Sequence, residues 1–527
     1  MRKKNRALGC MALCAAMTAA LLAGCGDGGS ESQPQPQAQP QESSQTTENA
    51  KSEESAEAKG ESSFQEEKIT YYVHAGEAKD TQWILDEVNQ RVKERCGVDM
   101  EFKLLSNDNY DLTLSAGENI DLIYGASWLG FVENAQNGAF AEISEEELKT
   151  YAPFVWENFG DVLNAGKIDG VCYGIPAKQD VTPNRCLMAR GDLMEKYGIP
   201  DIDSLENIEK YLTAIAENEP DMVPFDLPGT DWYILLNMFL PDLKWGPIGT
   251  TGFGQPVYIH TEDPEHKVFI ADEQPEMLAF TERMKEWNEK GFFSRSVLSN
   301  QTSSLDSFKN GTSALAYMGG PSDCQVAWDE MQKDDRASWD LRFVPLYQDH
   351  QMVNGYQQNL ICISSFSKHK EAALRAINAM YEDPEVTRLF MYGIEGTHYR
   401  LDGEGNMEWV DADSKGWVNA GIINGDYEYP LRYTFQGAQK LIDRLESMKY
   451  VNPAINVIMS DESINTEKVA ITEVLNQYMT PRCFGIIEGT PQEALDKELA
   501  ELKKAGIDAF AEDRQMQLDA YMESIGK

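Results

Sequence analysis

The chain is short of positive charge: 46 lysines and arginines stand against 87 aspartates and glutamates, a formal net charge of −41. Nucleic acid is a poor partner for such a surface, because affinity for phosphate is driven by cations that displace counterions. Histidine is scarce, with six widely separated copies. Neither H-E-x-x-H nor G-x-S-x-G occurs, so zinc-protease and serine-hydrolase chemistry lack their residues. The nine cysteines contain no C-x-x-C pair, which argues against a zinc site. Cys96, Cys172, Cys186, Cys324, Cys362 and Cys483 are expected to be buried free thiols, with a Cys172–Cys186 bridge left open. Gly252-Phe253-Gly254 precedes no helix signal and is no phosphate cradle. Asp411–Gly416 has the start of a calcium loop, but Lys415 occupies a ligand position and Ile422 stands where the bidentate glutamate belongs, so it reads as a turn. No metal and no cofactor is expected.

The one long apolar run is Ala7–Ala23, preceded by Arg2, Lys3, Lys4 and Arg6. Charge followed by a short apolar segment is the layout of a secretory signal, and the run is too short and too poorly flanked for a permanent span. It ends in Leu21-Leu22-Ala23-Gly24-Cys25, which resembles the lipobox of bacterial lipoproteins. That resemblance makes Cys25 the lipidated N-terminus of a mature protein held at the outer face of the membrane, where two acyl chains anchor stably. Residues 26–67 are Gln, Pro, Ser, Glu and Ala with almost no large apolar side chain, which cannot repay the entropy of ordering. They read as a tether with a span of roughly 35 Å.

The remaining chain, 42% hydrophobic and 10% aromatic over the whole sequence, can bury a core. Ile69–Val73 is a strand pattern, Thr81–Cys96 carries Ile84, Leu85, Val88 and Val92 at helical spacing, and Val98–Leu105 alternates as a strand. Strand, helix, strand in this order predicts a βαβ unit and a parallel sheet. Asp121–Tyr124 reads as a buried strand opening into Gly125–Trp128, and ligands sit beyond the carboxyl ends of such strands. Ser204 caps a helix with Leu205, Ile208, Leu212 and Ile215 on one face, and Met277, Phe280, Met284 and Trp287 line another ending at Gly291. Ser313–Met318, Leu341–Leu346 and Leu360–Ser364 read as strands, with a helix over Lys368–Glu382 and Pro384 restarting another. Gly403 and Gly405 predict a hairpin within Gly393–Trp409, and Thr490-Pro-Gln-Glu493 has the form of a capping box. There is no internal repeat.

Several segments together resemble the family 1 extracellular solute-binding proteins of ABC importers, in the lipoprotein branch of Gram-positive bacteria. They are the lipobox, Asp169-Gly170 with Tyr173-Gly174-Ile175-Pro176, Gly311–Ala314, Tyr392–Tyr399, Leu502–Asp508 and Gln515–Asp519. The resemblance spans nearly the whole folded chain and rests on order and spacing. It implies an α/β, two-lobed periplasmic-binding-protein-like fold with a hinge and an interlobe cleft. The expected layout is a signal peptide over 1–24, lipidated Cys25 with linker over 25–67, lobe 1 from 68–182 with 357–393, and lobe 2 from 183–356 with 394–527. Hinge crossings are expected near Lys178–Asn184, Asn354–Ile361 and Tyr392–Glu395.

A sugar offers a C–H face for stacking and a rim of hydroxyls, so its site needs aromatic plates and polar side chains. Candidates are Tyr124, Ser127 and Trp128 after a strand, Trp83 at the start of the first helix, Trp232 after the Pro228-Gly229 turn, and Tyr317, Tyr356, Glu395, His398 and Tyr399 near the expected crossings. Trp83 reads equally well as core, His398 as a structural histidine and Glu395 as a turn residue. The expectation is a membrane-tethered, monomeric receptor that performs no chemistry and passes a small-molecule solute, a carbohydrate and most simply an oligosaccharide, to an ABC permease in the membrane. Acidic solutes are disfavoured by the net charge unless a local Arg185 or Arg190 overrides it. The rivals are a surface-anchored glycoside hydrolase, since carboxylates abound, and a structural lipoprotein with an empty cleft.

Overall fold

A computed structural model describes residues 66–524 except Glu77, Glu118, 180–181, Pro183, 249–253, Asn354, 412–417, Ala420 and Glu462. Cys25, the tether and most of the Asp411–Gly416 turn lie outside the described residues. Two sheets organise the rest, built from β1 (Glu67–Ala75), β2 (Val98–Leu105), β3 (Leu122–Gly125), β4 (Gly174–Pro176), β5 (Cys186–Ala189), β6 (Val223–Phe225), β7 (Ser313–Met318), β8 (Arg342–Pro345), β9 (Leu360–Ile363) and β10 (Val418–Asn419).

The first sheet grows from the expected βαβ unit. β1 buries Ile69, Tyr71 and Val73 on alternate positions, as a pleated strand with one covered face must. Helix α1 (Thr81–Cys96) buries Ile84, Leu85, Val88 and Val92 and is closed by Gly97 at φ 72°, whose N–H donates to Lys93 O. That left-handed stop is one glycine accepts without strain, and it returns the chain into β2, parallel to β1. β3 pairs parallel on the other side of β1, with Tyr71 opposite Leu122. The order is β10-β1-β3-β9-β4, with β2 also on β1. The parallel sheet expected from the βαβ unit is in fact mixed, because β9 runs antiparallel to β3 and β4 and β10 antiparallel to β1. One face is covered by α1 and by α2 (Lys370–Glu382), which buries Ala372, Ala373, Leu374, Ala376 and Ile377. Each large apolar side chain so buried contributes about 1.5–3 kcal/mol. Tyr110, Phe131 and Phe140 cover the other face.

The second sheet has the order β8-β5-β7-β6, with β5 antiparallel to β7 and β8 and β6 parallel to β7. A separate three-stranded sheet of Trp245–Pro247, Val257–His260 and Val268–Ile270 packs with the C-terminal helices, among them α3 (Asn465–Cys483) and α4 (Pro491–Lys504). The Thr490 capping box forms: Thr490 Oγ1 accepts from Glu493 N–H at 3.2 Å, and Glu493 Oε2 accepts from Thr490 N–H at 2.9 Å. The expected hairpin forms as Tyr399–Leu401 against Met407–Trp409. The six named cysteines are all buried free thiols.

Three segments join the sheets. The chain leaves the first sheet at Pro176 and enters the second at Cys186, leaves the second at Pro345 and returns at Leu360. The first runs between residues 176 and 186 and the second between 345 and 360. The third does not lie at Tyr392–Glu395, because Val418 and Asn419 still pair with Ala75 and His74 in the first sheet. Val418–Asn419 therefore still belongs to the first sheet, and at about 424 the chain passes alongside the first crossing. The passes are laced by main chain: Ala177 N–H donates to Asn359 O at 2.9 Å, Lys178 N–H to Ile423 O at 2.9 Å, and Gly425 N–H to Lys178 O at 2.5 Å.

Candidate functional site

The crossings leave both sheets from the same edge. β1, β3 and β4 run one way and end at Ala75, Gly125 and Pro176; β9, running the other way, starts there. In the second sheet β6, β7 and β8 end, and β5 starts, at the edge reached by the crossings. The carboxyl ends of the parallel strands, where α/β sheets hold ligands, thus lie at the hinge end of each sheet.

At the first edge three rings meet. His74 stacks on Tyr124 at 5.2 Å between centroids, Trp128 stands edge-on to His74 at 5.5 Å, and Tyr124 and Trp128 lie 6.0 Å apart. The second crossing fixes them: Tyr124 Oη donates to Asn359 Oδ1 at 2.7 Å, Trp128 Nε1–H to Gln358 O at 3.2 Å, and Gln358 Nε2 to Ser127 Oγ at 3.2 Å. Tyr124 is fully buried and its phenol is pushed well above the usual range by that burial, so it is a neutral donor. Trp128 is 46% exposed. An indole already held by its N–H offers a flat apolar face with little rotamer entropy left to lose. Beyond Ser127, a cleft of about 140 Å³, partly open to solvent, runs between Val132 and Glu133 on one side and Gln255, Val257, Val457 and Met459 on the other. Lys468 of α3 spans it, 2.9 Å from Glu133 and paired also with Asp461.

At the second edge Arg185 donates from Nη1 to Tyr317 Oη, and its guanidinium lies 5.5 Å from the Tyr233 ring centre and 5.6 Å from that of Tyr317. Burial pushes the Tyr317 phenol up to about 12, with Arg185 pulling the other way. Trp232 stands nearly perpendicular to Tyr233 at 6.4 Å. Gly254 packs directly on Trp232, since a Cβ there would lie 2.7 Å from the indole. Asp231, raised above the usual carboxylate range by partial burial, completes the edge.

Of the residues chosen from sequence, Tyr124, Ser127 and Trp128 come together, with Tyr356 in the adjoining crossing turn Tyr356–Gln358. Trp232 and Tyr317 come together on the opposite edge. The other four form a separate group. His398 is fully buried, accepts from Ile394 N–H through Nδ1 at 2.9 Å and lies 3.3 Å from Asp80 through Nε2. Trp83 is 6.4 Å from that ring and donates to Glu87. Tyr399 is buried against Tyr392 and Met407. Glu395 is exposed, in the turn closed by Gly396 N–H to Tyr399 O. His74, Gln358 and Asn359 were not legible as site residues. His74 lies at the end of the first strand, on the face opposite Ile69, Tyr71 and Val73.

Two hinged α/β halves with aromatic residues on opposed edges define a clamping binding protein. The chain belongs to the family described as bacterial extracellular solute-binding protein, whose profile matches residues 104–396; residues 454–523 match a domain of unknown function. It is therefore a binding protein of the extracellular solute-binding class and not an enzyme. A carbohydrate ABC transporter substrate-binding protein of Streptococcus pneumoniae is 24% identical over 460 residues, 84% of this chain and 88% of that protein. Among solved structures, the N-glycan transport solute-binding protein of S. pneumoniae in complex with Man1GlcNAc superposes with a TM-score of 0.67 at 21% identity, covering 87% of this chain and 100% of that one. The alginate-binding protein AlgQ2 superposes at 0.65 with 16% identity, covering 86% and 97%. Among the described residues no helix is long and apolar enough to cross a membrane.

Proposed function

We propose that this protein captures an oligosaccharide outside the cell and hands it to an ABC permease, tethered to the membrane by lipid on Cys25. The observation that carries the reading is the three-pass hinge joining two edges that each end in aromatic side chains. Solute bound to both edges favours the closed arrangement in proportion to the contacts made only there. Trp128, backed by the buried Tyr124, supplies a stacking face on one edge, Trp232 and Tyr233 on the other, and Ser127, Gln358 and Asn359 supply hydroxyl and amide partners. Trp83, Glu395, His398 and Tyr399 have no part in this reading. The relatives include proteins named for carbohydrate transport and N-glycan transport, which supports a glycan as solute. Lobe 1 is taken as residues 68–176 with 360–424, and lobe 2 as 186–345 with 425–527.

The test is a thermal-shift and calorimetric screen over a glycan panel. Stabilisation by at least one oligosaccharide without turnover is expected, and Trp128→Ala should weaken that binding by about 2 kcal/mol, roughly 30-fold in Kd. Release of a shortened product would instead make the protein a hydrolase. The tether has its own test: Cys25→Ala should move the protein from the membrane fraction to the medium, and retention at the membrane would end that part of the proposal.

A further inference from the structure

Arg185 stands apart from the other cations of the chain. It is partly buried at the second edge, where it donates to the phenol of Tyr317 and lies against the rings of Tyr317 and Tyr233. Among the described residues no carboxylate lies within 4 Å of it. Acids are not in short supply, at 87 against 46 bases. Other sheltered arginines have found them: Arg190 meets Asp192 at 2.6 Å, Arg375 meets Glu67 at 2.5 Å, Arg482 meets Glu498 at 2.6 Å and Arg514 meets Asp513 at 3.1 Å. Arg444 is satisfied instead by the carbonyls of Asp203 and Gln348, each at 3.0 Å.

A guanidinium withdrawn from water is costly unless an anion compensates it. Two phenols occupy at most two of its five donors and bring no charge. The flanking Tyr233 and Tyr317 rings steady the cation and strip water from it. A planar carboxylate or a sulfate oxygen pair meets the fork two bonds at a time. The net charge of the chain does not forbid this, since interactions beyond about 8 Å are largely screened at physiological salt. Asp231, on the same edge, feels the cation without pairing with it.

We infer that the solute carries an anionic substituent, a carboxylate or a sulfate ester, and that Arg185 receives it. This rests on the receptor reading above and narrows it to acidic glycans.

The experiment is titration calorimetry of the full mature protein at about 0.15 M salt. The probes are trigalacturonate, sialyllactose and a sulfated chondroitin disaccharide, each beside its carboxyl-reduced or desulfated counterpart. At least one acidic probe is expected to bind about 100-fold tighter than its neutral counterpart, and R185Q should collapse that preference to within about 3-fold. R185K, which keeps the charge but loses the fork, should fall between. The carboxylated and sulfated arms tell the two anions apart. Neutral probes bound as tightly as acidic ones would overturn the inference and leave the glycan receptor standing. Equal weakening of both by R185Q would mark Arg185 as structural and overturn it likewise. Binding of none of the probes, charged or neutral, would overturn the inference and count against the receptor reading too.

Discussion

Replacing Arg482 by methionine is expected to lower the unfolding free energy by about 3–5 kcal/mol. Arg482 lies in α3 at 1% exposure, with Glu498 of α4 at 1% and Asp272 at 6%. Its Nε donates to Glu498 Oε2 at 2.6 Å, and Nη2 reaches Glu498 Oε1 and Asp272 Oδ1, both at 3.2 Å. One cation serves two carboxylates, so the trio is buried with a net negative charge, and burial already raises the Asp272 carboxyl. Without Arg482 both acids are left uncompensated in a place water does not reach, which is where the cost arises. Removing all three charges together, with apolar residues of similar volume, should come out close to neutral. The sign of the pH dependence follows. A buried carboxyl with a raised folded pKa is least penalised below its unfolded value of about 4 and most penalised once pH passes the folded value. The deficit of Arg482→Met should therefore narrow as pH falls from 8 toward 5. Urea midpoints of native and variant protein check both statements; an unchanged midpoint at pH 8 would refute them.

Gly421→Ala is expected to cost about 2–4 kcal/mol and to disturb closure as well. Gly421 sits at φ +70°, and a Cβ there would lie 2.4 Å from Leu360 O and 2.7 Å from Leu360 C. Both atoms are main chain at the first residue of β9, where the second crossing re-enters the first sheet. The Gly421 carbonyl is held by the hydroxyl of Tyr381 at 2.7 Å, so the residue cannot simply swing away. Relief comes by shifting the start of β9 away from Gly421, at the point where the second crossing enters the first sheet. Gly403, with no atom within 4 Å and no positive φ, is the control, and alanine there should change stability by less than about 0.5 kcal/mol. Urea unfolding gives the first effect, and small-angle scattering with and without a bound glycan gives the second. A Gly421→Ala protein as stable as the Gly403→Ala one would show that the close approach is not felt.

What could be read in advance was local. The alternation of Ile69, Tyr71 and Val73, the α1 face and the Thr490 box each depend on neighbours a few residues away, and each formed. The direction of β9 could not be read, because a short buried strand has no sequence mark for which way it enters a sheet. That direction brings Gln358 and Asn359 beside Tyr124 and Trp128, so half of the first edge was hidden with it. The third crossing was misplaced for a related reason. Val418–Asn419 is a two-residue strand, too short to carry a period, and only its pairing with β1 keeps that stretch in the first half. His398 and Tyr399 stand near an expected crossing in the sequence, and the structure packs both inward, beside Asp80 and Tyr392.

The hinge has a bearing on how the chain matures. The first sheet places β9 between β3 and β4, so its middle is missing until residue 363 has been synthesised, and its outer strand waits for residue 419. The first half cannot close its sheet from an uninterrupted stretch of polypeptide, whereas the second sheet is drawn wholly from residues 186–345, and long-range pairings of the first kind form slowly. The second sheet, complete at residue 345, is therefore whole before the first.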